Sequence, residues 1–173
     1  MIPPSPARAA LASAAAVATA IALSACGPGA PPRSAPHALA DKPMPDFKRR
    51  AVDGASVDTA SLRGKVVVVK FFAKYCEPCK RTLPAAKALA ESRSDVVVIG
   101  VAEDESEADV RAMVAEYGLG FPVVHDQGNV VAGRYRVREL PVSFVVDPRG
   151  AIRWVGGADQ AEGDLAAAAA AFR

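Results

Sequence analysis

Hydrophobic and polar positions follow two different periodicities from about residue 43 onward. Residues 65–72 form an apolar run with four consecutive valines, and residues 96–101 form a second run. Continuous apolar runs of this length are typical of strands buried on both faces of a sheet. After the second run, apolar residues recur at helical spacing at Val110, Met113, Val114 and Tyr117, with Gly118 beyond them as a helix end. The pattern therefore predicts buried strands that alternate with amphipathic helices.

The remaining elements complete an α/β arrangement. In chain order they are a hairpin of 47–52 with 56–57, helices at 77–92 and 105–117, a strand at 123–124, a helical turn at 128–134, a hairpin of 143–146 with 151–155, and a closing helix at 159–172. Strands that alternate with helices form a sheet covered on both faces. The late hairpin adds antiparallel strands, so the sheet is predicted to be mixed.

The N-terminal residues have the features of an export signal rather than of a folded segment. Residues 1–25 are rich in alanine and have the charge and length of a secretory signal. Their end, Leu23-Ser24-Ala25-Cys26, resembles the lipobox of bacterial lipoproteins, which implies export and lipidation of Cys26 as a membrane anchor. An ordinary signal peptide with a chance cysteine is the alternative. Residues 26–42 have the Pro, Gly and Ala composition of a flexible tether, and 43–173 form the domain.

Charge and cysteine count exclude two classes of protein. The net charge is +2 and the basic residues form no stripe, which argues against nucleic acid as a partner. Three cysteines in 173 residues do not make a disulfide scaffold, and an odd number cannot all pair within one chain.

The segment Cys76-Glu77-Pro78-Cys79 is the strongest chemical signal. It follows the first buried strand and opens a helix, where free N–H groups and the helix dipole favour a thiolate. Two intervening residues bring the second sulfur within bonding reach of the first. A zinc site would need two further ligands, and a purely structural bridge over so short a loop would add little stability, so redox chemistry is the preferred interpretation.

These residues resemble the active-site segment of thioredoxin-like proteins, most closely the TlpA/ResA branch of anchored extracytoplasmic thiol-disulfide oxidoreductases. The similar segments are 69–80 with Pro84 after it, 117–124, 140–150 and 156–157. The resemblance implies a thioredoxin-like three-layer sandwich, with a mixed central sheet, an N-terminal β-hairpin and a central βα insertion.

The resemblance also implies roles for individual residues. Cys76 is the exposed attacking thiolate, and Cys79 is the buried thiol that resolves the mixed disulfide, so that the two form a redox-active disulfide. Pro141 is expected to be cis and to lie against Cys76, which leaves the backbone of Leu140 free to pair with an extended substrate. Tyr75 stands where the family usually has tryptophan and retains an aromatic wall.

Two positions depart from the family pattern. Thr82 replaces a glutamate that follows the second cysteine, and Lys70 replaces a buried acid on the central strand. A lysine buried on both faces is costly unless its tip finds water or a partner. Two interpretations stay open: the amine of Lys70 reaches water or a carboxylate, or it lowers the pKa of Cys79 and replaces the missing acid as a proton shuttle.

The expected function is that of a lipid-anchored, monomeric reductase without cofactor or metal, facing the periplasm or cell exterior. Its expected partners are substrate proteins with disulfides or thiols, including cysteines awaiting haem attachment in c-type cytochromes, and a membrane thiol-disulfide electron donor. The alternatives are a Sco-type copper protein that uses His125 and a peroxiredoxin-like peroxidase. His37, in the tether, is expected to be solvated.

Overall fold

The computed structural model describes Met1 and residues 30–172 of the chain. The signal peptide beyond Met1 and the lipidation site Cys26 lie outside the described residues, so both stay predictions. Among the described helices, none is long and apolar enough to cross a membrane.

Seven strands and four α-helices make up the described chain. In order they are β1 (Lys48–Arg50), β2 (Ser56–Asp58), β3 (Val66–Phe72), α1 (Glu77–Ser92), β4 (Val96–Ala102), α2 (Glu107–Tyr117), β5 (Val123–His125), α3 (Val130–Arg134), β6 (Val142–Val146), β7 (Ile152–Gly156) and α4 (Asp164–Ala171). A short 3-10 helix at Thr59–Leu62, which the sequence pattern did not predict, connects β2 to β3.

Five strands form one mixed sheet in the order β5-β4-β3-β6-β7. Strand β3 lies at the centre, parallel to β4 and antiparallel to β6, and all seven of its residues are buried. The valine run therefore forms the predicted central strand. Strands β1 and β2 form the predicted N-terminal hairpin, and α2 with β5 occupies the segment expected for the insertion.

Two hydrophobic cores cover the two faces of the sheet. One joins alternate residues of β3 to the apolar sides of α1, α2 and α4, and includes both cysteines of the central motif. The other joins the intervening residues of β3 to α3 and to the hairpin. Helices thus lie on both faces, which confirms the predicted three-layer α/β sandwich.

Two predicted helices begin too early. Helix α2 begins at Glu107 because the Ser106 hydroxyl accepts a hydrogen bond from the N–H of Asp109, the bond that defines a helix N-cap. The last helix begins at Asp164 rather than at residue 159. The preceding residues form turns, one of them closed by the Asp164 carboxylate accepting from the N–H of Ala161 at 2.8 Å.

Residues 34–42 lie along the free edge of β7, and the prediction of a flexible tether is wrong for this segment. The N–H of Ala35 donates to the carbonyl of Val155 at 2.7 Å, and the N–H of Val155 donates to the Ser34 hydroxyl at 2.9 Å. His37 packs edge-on against the Phe144 ring with centroids 4.9 Å apart, and burial lowers its pKa. His37, which was expected to be solvated, is therefore partly buried.

Candidate active site

The two cysteines of the central motif lie at the N-terminus of α1 and form a disulfide, with Cα atoms 5.3 Å apart. Cys76 is the N-cap residue, and its sulfur accepts a hydrogen bond from the N–H of Cys79 at 3.2 Å. Cys76 is 7% exposed and Cys79 is fully buried. A thiolate on Cys76 would face the positive end of the helix, but at 7% exposure Cys76 is nearly buried, so the expectation of an exposed thiolate is wrong. Cys79 is fully buried and would reach substrate only through Cys76.

Charged side chains around the motif are already paired with one another. Glu77 lies in the first turn of α1, and its carboxylate accepts from Lys80 Nζ at 2.5 Å. Lys74, just before the motif, pairs with Asp109 at 2.6 Å. Pro78 is the second residue of the helix, where its missing N–H costs no hydrogen bond. The helix N-terminus thus supplies a positive field at Cys76, and Arg138 lines the same cleft.

A cleft of about 650 Å³ opens beside Cys76. Its lining includes Tyr75, which is 72% exposed, and Leu140, which precedes Pro141. The Leu140–Pro141 peptide bond is cis, as predicted. The structure thus brings Cys76 and Leu140 to one cleft, whereas Cys79 is buried in the core. Pro141 lines the two neighbouring grooves, and its contact with Cys76 stays a prediction.

Lys70 is fully buried away from solvent, and no carboxylate among the described residues pairs with it. Its Nζ donates to the hydroxyl of Thr82 on α1 at 2.8 Å and to that of Ser143 on β6 at 3.2 Å. Burial lowers the pKa of Lys70 to about 7. The interpretation that its tip finds water or an acid is therefore wrong, because two hydroxyls from different elements enclose it.

Glu103 is a site residue that the sequence reasoning missed. It follows β4 directly, its N–H donates to the carbonyl of Phe72 at 3.0 Å, and it lines the same cleft as Cys76. Its Oε1 is buried, and no described residue hydrogen-bonds to it. Burial, with a contribution from Asp126, raises the pKa of Glu103 to about 7. The sequence did hold one signal for this site residue, namely an acidic residue directly after a buried parallel strand. The carboxyl ends of parallel strands meet at one edge of a sheet, which is where sites form.

His125 is held by the backbone. Its Nε2 lies 2.8 Å from the carbonyl oxygen of Asp104. Within residues 30–172, no group of three or more His, Cys, Asp or Glu side chains is arranged to hold a metal ion. The described chain therefore offers no copper site that combines His125 with the cysteine pair.

Known proteins similar to this chain include a thiol-disulfide oxidoreductase ResA of Bacillus thuringiensis (strain Al Hakam), 33% identical over 113 residues. That alignment covers 64% of this chain and 65% of ResA, so the chain matches about two thirds of its relative's length.

Solved structures that share the fold include the following two. One is a secreted Mycobacterium tuberculosis disulfide oxidoreductase described as homologous to E. coli DsbE, with a TM-score of 0.67 and 26% identity, covering 72% of this chain and 95% of that one. The other is the exposed lipoprotein thioredoxin Etrx1 of Streptococcus pneumoniae strain TIGR4, with a TM-score of 0.64 and 26% identity, covering 72% and 98%.

The sequence model of the AhpC/TSA family matches residues 40–155, a stretch that contains the hairpin, the cysteine pair, the cis-proline loop and all but the last residue of the central sheet. The chain therefore belongs to the AhpC/TSA family of thioredoxin-like proteins.

Proposed function

We propose that this protein is a membrane-anchored, extracytoplasmic thiol-disulfide oxidoreductase that reduces disulfides of other proteins. The observation that carries the proposal is the Cys76–Cys79 disulfide at a helix N-terminus, where Cys76 lines a surface cleft and Cys79 is fully buried. The similarity to ResA and to disulfide oxidoreductases of known structure supports the same activity.

The reaction proceeds by two exchanges. In the reduced protein, the Cys76 thiolate attacks a substrate disulfide, and one substrate sulfur leaves with the electron pair of the broken bond. Cys79 then loses its proton, and its sulfur attacks Cys76, which releases the second substrate thiol and forms the Cys76–Cys79 disulfide. Two electrons and two protons from a donor dithiol restore the reduced pair. Leu140 offers its backbone to the substrate chain in the cleft, and Tyr75 forms one wall.

Insulin reduction by the dithiothreitol-reduced protein tests the activity. We expect the wild type to precipitate the insulin B chain, and the Cys76→Ser variant to be inactive. Lys65→Met, a substitution at an exposed lysine just before β3, is the matched control and is expected to keep full activity. A wild type that does no better than dithiothreitol alone would refute the proposed function.

The membrane anchor is proposed from the lipobox-like sequence at Cys26 and is supported by the lipoprotein Etrx1 among similar structures. Eight residue steps separate Cys26 from Ser34, the first residue bonded to β7, and a fully extended chain spans at most about 3.6 Å per residue. The docked segment is thus held within about 30 Å of the lipid. Pro36 of this docked segment and Leu140 of the Cys76 cleft line one groove. The cleft with Cys76 would therefore be held near the bilayer, where a membrane electron donor acts.

Mass spectrometry of the membrane fraction tests the anchor. The mature protein is expected to begin at an acylated Cys26, and Cys26→Ala is expected to abolish acylation while leaving insulin reduction unchanged. A mature chain that starts elsewhere without lipid would contradict the anchor and leave the redox activity intact.

We further propose that the substrates include the cysteines of apocytochromes c, as the resemblance to the TlpA/ResA branch implies, and that the protein acts as a monomer. An oxidised Cys-x-x-Cys-His peptide is the direct probe, with reduction of the peptide as the expected result. Peroxidase activity is the competing function that the family match raises. Consumption of peroxide at a rate above that of protein disulfides would favour it.

A further inference from the structure

One of the two grooves beside the Cys76 cleft is a pocket of about 270 Å³, which we term the basic pocket. Its walls come mainly from residues 35–38 of the segment docked on β7 and from residues 136–142. Arg138 borders both this pocket and the Cys76 cleft. Because Leu140 lies between two residues that line the pocket, a substrate chain that pairs with Leu140 would pass beside it.

Arg136 lines the basic pocket from a backbone conformation that arginine rarely adopts. It follows α3 with a φ of 54°, and its N–H donates to the carbonyl of Gly133 at 3.1 Å, which closes the helix end. Glycine usually takes this position, because in the left-handed conformation a Cβ lies too close to a carbonyl oxygen. Among the described residues, the other two non-glycine residues with positive φ are Asp41 and Asn129, whose short polar side chains tolerate it. Arginine lacks that compensation, so its side chain at this pocket needs another explanation.

The basic pocket carries positive charge that no carboxylate balances. Within residues 30–172, four arginines pair with carboxylates, and neither Arg136 nor Arg138 is among them. Glu139 is the acidic residue in the lining, and it forms no ion pair with either arginine. Burial lowers the pKa of His37 on the opposite wall, and the charges of Arg136 and Arg138 lower it further. Both guanidinium groups therefore act on the interior of the pocket.

The size and chemistry of the basic pocket fit one acidic side chain of another protein. Pockets for small molecules usually have volumes of about 300–1,000 Å³, and this one is slightly smaller. A guanidinium presents a planar fork of N–H donors that binds a carboxylate through two parallel hydrogen bonds, and such charge-assisted bonds are stronger than neutral ones. Two unpaired guanidinium groups at one small pocket therefore match an aspartate or glutamate that enters from a bound chain.

We propose that the basic pocket binds an aspartate or glutamate of the substrate protein, close in sequence to the cysteine that Cys76 attacks. This inference rests on the proposed function and names a class of substrate for it, namely disulfides with an acidic residue nearby. The guanidinium groups of Arg136 and Arg138 hold the carboxylate, and the chain between the carboxylate and the cysteine pairs with Leu140. The contact positions the substrate disulfide against Cys76.

Reduction of matched model disulfides tests the proposal. Each substrate is a disulfide-linked dimer of a short, blocked peptide with one cysteine, and a single glutamate is placed in turn at each position flanking that cysteine. The matched peptide has glutamine at the same position. Each rate is divided by the rate of the same dimer with dithiothreitol, which removes the effect of the glutamate on the disulfide itself. With the wild type we expect the glutamate peptide to react about five- to tenfold faster at one or two positions near the cysteine.

Arg136→Gln and Arg138→Gln are expected to bring this ratio of rates close to one, because each variant removes a guanidinium from the pocket. Arg149→Gln, at an exposed arginine in the turn between β6 and β7, is the matched control and should keep the wild-type ratio. The ratio separates recognition from folding, since a damaged protein slows on both peptides alike. Equal rates on both peptides at every position in the wild type would overturn the proposal. A wild type that reduces neither peptide refutes the proposed function itself, so the two failures are distinguishable.

An anionic bilayer is the competing partner for exposed arginines on an anchored protein. Sedimentation of the Cys26→Ala variant, which has no site for the acyl chain, with vesicles of phosphatidylcholine and phosphatidylglycerol measures this competition. We expect it to bind these vesicles no better than vesicles of phosphatidylcholine alone. Vesicle binding that Arg136→Gln and Arg138→Gln abolish, together with no preference for glutamate peptides, would assign the arginines to the membrane and overturn the proposal.

Discussion

Burial of Lys70 makes the free energy of unfolding of the oxidised protein depend on pH between about 7 and 10.5, a range in which few other groups titrate. The pKa of this amine is about 7 in the folded state, against an ordinary value of 10.5. Between these values the unfolded chain binds more protons than the folded one, so the free energy of unfolding rises with pH. Below pH 7 both states are protonated, and the full cost of burying the charge destabilises the protein.

The size of the effect follows from the two pKa values. A difference of 3.5 units, from 10.5 to about 7, corresponds to about 5 kcal/mol over the whole window. Between pH 7 and pH 9 the wild type should gain about 2 kcal/mol in its free energy of unfolding. Lys70→Met lacks this amine, which is half protonated at pH 7, and should be more stable than the wild type there, because an apolar side chain of similar volume replaces it.

Chemical denaturation of the oxidised proteins at pH 7, 8 and 9 measures this prediction. The disulfide keeps both cysteines from titrating, and Lys65→Met controls for the loss of a lysine from the surface. The difference in unfolding free energy between Lys70→Met and wild type should shrink steadily as the pH rises. Parallel curves over this range would refute the assignment of a lowered pKa to the buried amine.

Three further predictions concern the site and its support. Cys79→Ser should accumulate a mixed disulfide between Cys76 and substrate, seen by non-reducing electrophoresis, and a variant that turns over normally would contradict the order of attack. The free energy of unfolding of the wild type should fall as the pH rises from about 4.5 to about 7, because folding raises the pKa of the Glu103 carboxyl. Glu103→Gln should abolish this fall, and unchanged pH profiles would contradict the burial of Glu103. Gly156→Ala should lower the free energy of unfolding by about 1–3 kcal/mol, since the added Cβ would lie 2.1 Å from the Trp154 ring. Gly157→Ala is the control and should leave stability unchanged, because open space surrounds that position. Equal thermal unfolding midpoints for the two variants would contradict this packing.

The sequence predicted those features that depend on local pattern. The run of valines identified β3 because four successive β-branched residues are typical of a strand buried on both faces. The cysteine pair and its helix were equally local, and the cis bond before Pro141 followed from resemblance. The helix starts were less accurate because side-chain caps, such as that of Ser106, decide them.

Features that depend on distant contacts could not be predicted in this way. The partners of Lys70 include Ser143, 73 residues away, which only the sheet register brings opposite to it. Residues 34–42 were taken for a tether on composition. They dock on β7 chiefly through main-chain hydrogen bonds, which leave no mark on the pattern of side chains.

The reduction potential of the Cys76–Cys79 pair tests the central claim most directly. Equilibration of the protein with glutathione or dithiothreitol buffers, followed by alkylation and mass spectrometry, measures the fraction reduced. A protein that reduces disulfides should have a potential near that of thioredoxin, about −270 mV. A value near the strongly oxidising end, about −120 mV, would contradict a reductase and indicate instead a protein that forms disulfides.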